Sequence, residues 1–175
     1  MAIEIERKFL VSGEGWRAAA HTAVPMAQGY LNDLAAMDAM PGRVAMKASV
    51  RVRIAGGEAY LNLKSRELGH TRQEFDYPIP LADARDLLAL CVGGLVDKVR
   101  HHVEVGGRVW EVDEFLGDNA GLVVAELELE SADAAFERPD WLGREVTDSA
   151  RYYNLALATR PFARWSPAER DGSTV

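Results

Sequence analysis

The sequence predicts a single antiparallel α+β domain, and three observations carry that reading. Six or seven stretches alternate apolar and charged residues with period two, the paired glycines Gly56-Gly57 and Gly106-Gly107 separate consecutive stretches, and about three segments have helical spacing instead. The 175 residues suit one domain with its own core, with no linker, fixed-period repeat or low-complexity tract. Residues 1–160 form the predicted domain, and 161–175, bearing Pro, Ser and Gly, a loosely held tail.

Residues 3–10 open the chain as a strand with Glu4, Glu6 and Lys8 on one face and Ile3, Ile5, Arg7 and Phe9 on the other. Carboxylates at i and i+2 lie roughly 6.6 Å apart and repel by about 2.5 kcal/mol at an effective dielectric near 20. Either that face points into water or a divalent cation sits between the acids. Residues 12–21 suit a short helix, weakened at its start by Gly13 and Gly15, and after Pro25 residues 26–31 read as a second strand. Residues 32–47, with Pro41-Gly42 and no clean period, read as a long loop or lid. Residues 49–54 set Arg51 and Arg53 on one face, Gly56-Gly57 turns, and residues 60–64 return with Tyr60, Asn62 and Lys64 in phase. Residues 71–79 add a strand with Arg72, Glu74 and Asp76 in phase, closed by Pro78 and Pro80. Residues 81–92 have helical spacing, with Gly93-Gly94 as the stop, and cover the apolar side of the sheet. Residues 98–105 and 108–115 form a hairpin about Gly106-Gly107, with Glu111 and Asp113 in phase, and residues 122–130 put Glu126, Glu128 and Glu130 on one face. Residues 131–136 suit a short helix, and Thr147 or Asp148 a cap for a last helix through Ala158, limited by Pro161.

Composition excludes several classes. A formal net charge of −7 argues against a general nucleic-acid binder, although it says nothing of a local basic pocket. Cys91 is the one cysteine, so no disulfide forms within the chain, which suits a reducing compartment. The charged, strand-like start is no secretory signal, and no apolar run approaches the roughly 20 residues that span a bilayer. A soluble cytoplasmic protein without nucleic-acid or membrane partners is expected. There is no GxxxxGK loop, HExxH, GxSxG or Cys-rich metal spacing.

The charges on the strand faces are grouped by sign. Acids dominate the first strand and the last two; bases dominate the middle, through Arg51, Arg53, Lys64, Arg72, Lys98 and Arg100. The chain has four lysines, at 8, 47, 64 and 98, and three lie on these faces. If the sheet closes on itself with the charged faces inward, like charges crowd together at a cost of several kcal/mol per unpaired ion. The bases then require a polyanion and the acids hard, oxygen-liking metal cations. Phosphate chains with Mg²⁺ or Mn²⁺ satisfy both, Arg contacting phosphate oxygens in bidentate fashion and Lys acting as a point charge.

Glu4-Ile5-Glu6-Arg7-Lys8 matches the ExExK signature of the CYTH domain, also called the triphosphate tunnel metalloenzyme family. The resemblance runs from residue 3 to about 158, through Arg51-Val52-Arg53, Lys64, Arg72-Gln73-Glu74, Lys98-Val99-Arg100, Trp110-Glu111-Val112-Asp113, Glu126-Leu127-Glu128 and Arg151-Tyr152-Tyr153-Asn154. It implies a closed antiparallel eight-stranded β-barrel, a tunnel with a charged interior and helices covering the outside, that hydrolyses or cyclises triphosphates with divalent metal. The compact chain looks most like the branch acting on inorganic triphosphate. On that footing Lys8, Arg51, Arg53, Lys64, Arg72, Lys98, Arg100 and Arg151 are expected to grip the substrate. Glu4, Glu6, Asp113, Glu126 and Glu128 are expected to hold one or two Mg²⁺ or Mn²⁺ ions. Glu6, Lys8 and Glu128 are the expected catalytic residues, Glu6 or Glu128 taking the proton of the attacking water. A homodimer is expected from the resemblance alone. The nearest alternatives are a class IV-type adenylate cyclase, a thiamine triphosphatase or a nucleoside triphosphatase in the same tunnel; a non-catalytic polyphosphate- or nucleotide-binding module comes behind them.

Overall fold

A computed structural model describes residues 2–32, 47–65 and 71–171; the side chains of residues 2–4, 71 and 72 lie outside that description, as does most of the 32–47 segment. Nine strands form one antiparallel sheet: β1 (Ala2–Val11), β2 (Ala20–Tyr30), β3 (Ala48–Ala55), β4 (Glu58–Ser65), β5 (Thr71–Pro78), β6 (Val92–Val105), β7 (Arg108–Phe115), β8 (Val123–Glu128) and β9 (Leu142–Glu145). Their order is β5-β4-β3-β2-β6-β7-β8-β1-β9. β1 pairs β8 through residues 6–10, and its first four residues also pair β5, with Glu4 opposite Arg72. The few helices are short, and no helix among the described residues is long and apolar enough to cross a membrane.

Alternation becomes pairing where turn glycines allow it. Gly106 and Gly107 both have positive φ (59° and 73°), which the tight β6–β7 hairpin requires and a side chain resists. The uncharged face of the sheet then buries its residues in two places. Val52 and Ala59, with Ile54 and Leu61, pack under the helix Leu81–Leu88 through Ala84, Leu81, Leu87 and Leu88. Phe9, Val103, Trp110, Val112, Ala125 and Leu127 pack under Trp16, Phe136 and Trp141. Trp110 meets Phe9 and Trp141 edge to face, with ring centroids 5.7 Å apart in each case.

Several elements depart from the sequence pattern, each for a physical reason. β2 starts at Ala20, so the first helix is only Gly15–Ala19 and Pro25 lies within the strand. The Pro25 carbonyl accepts from Gly56 N at 2.9 Å, so the proline falls at the end of the β2–β3 ladder, where its missing N–H interrupts no internal rung. The helix expected over residues 81–92 stops at Leu88, and Gly93-Gly94 belong to the long strand β6. A Cβ on Gly93 would lie 3.1 Å from the carbonyl oxygen of Ala158, so these glycines admit a close backbone approach rather than end a helix. Residues 131–136 form no helix; Phe136 is drawn onto Phe9 and Trp110 instead. β9 is a strand that the alternation did not reveal.

Helices were expected on the outside only, and that holds for Leu81–Leu88 but not for Asn154–Thr159. Register puts Tyr30 on the face of Arg51, Val96 on that of Gln28, Phe115 on that of Lys98 and Val124 on that of Asp113. These four, with Leu122, pack against Tyr152, Leu157, Ala158 and Trp165. The charged face therefore has one apolar end, and the C-terminal segment covers it. That packing extends past residue 161: Trp165 is buried against Tyr152, and Ser166 and Glu169 form a capping box on the helix Pro167–Arg170.

Candidate active site

Residues directly opposite each other in an antiparallel pair point to the same face. Glu6 lies opposite Glu128, and Lys8 opposite Glu126. Glu126 lies opposite Glu111, which in turn lies opposite His102. Arg100 faces Asp113, Met26 faces Lys98, and Gln28 faces Arg53. Arg51 faces Asn62, and Lys64 faces Glu74. One continuous face thus carries nearly every residue singled out above.

On β6–β8 the charges form a buried network. Arg100 donates to both carboxylate oxygens of Asp113 (Nε to Oδ1 and Nη2 to Oδ2, each 2.7 Å), to Glu126 Oε2 at 2.7 Å, and to Glu111. Lys98 donates to Asp113, and Lys8 to the other oxygen of Glu126. Asp113 is 0% exposed and Lys98 2%. Three cations meet three acids here. Burial works against the Lys8 ammonium, but Glu126, Glu6 and Asp113 outweigh it and hold its pKa above the usual lysine range. Burial likewise works against the Glu126 carboxylate, and Lys8, Arg100 and Lys98 keep it ionised well below the usual range. Arg100, flanked by Asp113 and Glu111, stays cationic despite burial, and in spite of its own burial Glu111 is drawn down to about 2 by Arg100 and His102. Lys98 is the exception: burial and the neighbouring Arg100 win over Asp113 and Glu126, and its pKa falls to about 8.

On β3–β5 the balance differs. Arg51 donates to Asn62 at 3.2 Å and to Glu74 at 3.4 Å, and Glu74 also takes Lys64 at 2.9 Å. Arg53 stands 3.6 Å from Asp76 with its guanidinium over the Tyr60 ring, and burial together with Arg51 lowers its pKa. Among the described side chains three cations meet two acids in these pairs, and the backbone adds Arg72 opposite Glu4. The side chains of Glu4 and Arg72 themselves lie outside the described residues.

The predicted acids divide into two groups. Asp113 and Glu126 accept from cations, while Glu6, half-buried and acting on Lys8, faces the exposed Glu128 across the β1–β8 pair. Among the described residues no three carboxylate, imidazole or thiol side chains converge as a metal site would need. The donors at the Glu6–Glu128 pair, with Glu4 two residues along the same strand, are all carboxylates, a set suited to a hard divalent cation. Arg151 stands apart: its guanidinium lies over Trp165 at 5.6 Å, at the apolar end. His102 sits beside Glu111 on the charged face, while His101 packs on Trp16 on the other. Sequence reasoning passed over Gln28 as a site residue, although the phase of β2 relative to Arg53 could have marked it.

Comparison with known proteins agrees with this geometry. The CYTH domain model matches residues 2–159. The inorganic triphosphatase of Acetivibrio thermocellus is 40% identical over 163 residues, covering 93% of this chain and 97% of that protein. That of Nitrosomonas europaea is 38% identical over 162 residues, covering 89% and 96%. The crystal structure of an inorganic triphosphatase superposes with a TM-score of 0.64 at 34% identity, over 90% of this chain and 95% of the other. A Pyrococcus horikoshii protein shares the fold at 17% identity, with a TM-score of 0.53 over 74% of this chain and 81% of the other. The chain belongs to the CYTH domain family.

Proposed function

We propose that this chain hydrolyses inorganic triphosphate with the help of a divalent metal, its strands β1–β8 ringing the substrate as a tunnel. The observation that carries the reading is one strand face that gathers Arg51, Arg53, Lys64, Lys8, Lys98 and Arg100 together with the opposed carboxylates Glu6 and Glu128. Its kinship along almost the whole chain with two inorganic triphosphatases supports the choice of substrate, and the β1–β5 pairing supports the ring.

Phosphoryl transfer asks mainly for positioning and charge neutralisation. Arg51, Arg53 and Lys64, with Arg72, bind the phosphate chain on one side, and Lys8, Lys98 and Arg100 on the other. Asp113 and Glu126 hold the second group of cations in place, and Glu74 orients Arg51 and Lys64. A water oxygen bonds to the terminal phosphorus as the bridging P–O bond breaks, and the bonding electrons leave on pyrophosphate, whose charge the cations take up. Glu6 or Glu128 accepts the proton of that water. Glu4, Glu6 and Glu128 would hold Mg²⁺ or Mn²⁺, which when bound neutralises phosphate charge and acidifies a bound water.

Tripolyphosphate, ATP and thiamine triphosphate turned over side by side with Mg²⁺ or Mn²⁺ test the reading. We expect tripolyphosphate to have the highest kcat/KM, releasing phosphate and pyrophosphate. Cyclic AMP formation from ATP outpacing tripolyphosphate hydrolysis would overturn it in favour of a cyclase.

A further inference from the structure

Gln28 is 0% exposed, and neither its amide nitrogen nor its amide oxygen finds a hydrogen-bond partner among the described residues. Buried side-chain amides are rarely left so, because desolvation without a partner is costly. Register places Gln28 opposite Arg53 on one side and Val96 on the other, on the charged face. Nearby donors on that face share the condition: Arg53 Nε and Asn62 Nδ2 are also buried without partners, and Asn62 holds its neighbour Arg51 through its oxygen. Three adjacent strands therefore carry unsatisfied N–H groups beside two arginines. Beyond Gln28 the face turns apolar, with Tyr30 and Val96 packed under the C-terminal segment. Gln28 is thus the last polar residue of β2 before the apolar end.

We propose that Gln28 is a further substrate-binding residue, its amide N–H donating to an oxygen of the terminal phosphoryl group of the triphosphate, alongside Arg53 and Asn62. The inference rests on the triphosphatase reading and adds to it a neutral donor that fixes how far the phosphate chain enters. A charge at this position would repel or over-hold; an amide bonds phosphate oxygen without changing the net charge. Because the amide finds no partner among the described residues of the free protein, its removal should stabilise the free protein and weaken the complex. A structural glutamine would behave in the opposite way.

Gln28→Met, of similar length and without hydrogen-bonding atoms, tests this. We expect KM for tripolyphosphate to rise about tenfold, with kcat within about threefold of wild type. The melting temperature without substrate should be unchanged or higher, and its rise on adding tripolyphosphate smaller. A KM within about twofold of wild type, or a lowered melting temperature with unchanged KM, would falsify the proposal. Should the variant not fold, the side-chain amide ¹⁵N–¹H signal of Gln28 in the wild-type protein decides: it shifts on tripolyphosphate addition if the proposal holds, and a signal unmoved at saturation overturns it. Wild-type turnover of tripolyphosphate is the control; its absence would count against the triphosphatase reading, whereas normal wild-type turnover with an indifferent variant counts against Gln28 alone.

Discussion

Lys98 shows how far a buried cation can be pushed by company of its own sign. It is 2% exposed, donates to Asp113, and lies beside Arg100, which takes both oxygens of the same carboxylate. Burial and Arg100 together lower its pKa from 10.5 to about 8. A base whose folded pKa is depressed carries a charge that costs stability below that pKa; the cost is relieved as pH rises from about 8 toward 10.5. Function is expected to move the other way, since deprotonation would remove a cation from the proposed phosphate site. KM for tripolyphosphate should therefore climb roughly tenfold as pH rises from about 7 to about 9.5, while the Lys98 contribution to stability improves. Arginine stays protonated throughout, so Lys98→Arg should flatten the KM profile over that interval. A wild-type KM that stays level would show that Lys98 keeps its proton, or that its charge does not reach the substrate.

At the scale of elements, β9 bears on the site more than its four residues suggest. It pairs β1 at Phe9 and Val11, and just beyond it Val146 N donates to the carbonyl of Lys8 at 2.8 Å while Thr147 Oγ1 accepts from Lys8 N at 3.0 Å. Glu145 holds Arg7 through its Nε at 2.8 Å. The backbone that presents Lys8 is thereby fixed on both edges, by β8 and by this segment. Gly143 permits the approach: a Cβ there would lie 2.8 Å from the carbonyl oxygen of Leu10, which is backbone and cannot swing aside. Gly143→Ala should cost about 1–3 kcal/mol, read as a lower urea midpoint with unchanged slope. Gly57→Ala, with open space at its Cβ, should stay within about 0.5 kcal/mol of wild type. β9 was illegible in the sequence because Leu142-Gly143-Arg144-Glu145 has no alternation to read. The N-terminal parts of β2 and β6 were hidden by Pro25 and by Gly93-Gly94, punctuation that here serves a strand edge and a close backbone approach. β3, β4 and β7 were legible because period two and paired turn glycines agree.

For the whole molecule, the phase of charges along each strand was enough to gather one face, but which acid meets which cation depends on register between strands far apart in sequence. Hence four of the five predicted acids were not separable by sequence into cation-holding Asp113 and Glu126 and the opposed Glu6 and Glu128. That separation has a thermodynamic consequence. The first group is held inside the fold by Lys8, Lys98 and Arg100. The second places two carboxylates directly opposite each other on β1 and β8, where a divalent cation would add to the attraction that Lys8 already gives Glu6. A metal bound there and absent from the unfolded chain stabilises by mass action, about 2.7 kcal/mol at a hundred times its dissociation constant. Mg²⁺ or Mn²⁺ should therefore raise the melting temperature of the wild-type protein in a concentration-dependent way, and EDTA should reverse the gain. Replacing Glu6 and Glu128 together by Gln should abolish the metal-dependent increment. The same metal-dependent rise in the double variant as in wild type would move the metal to other carboxylates and leave Glu6 and Glu128 without that role.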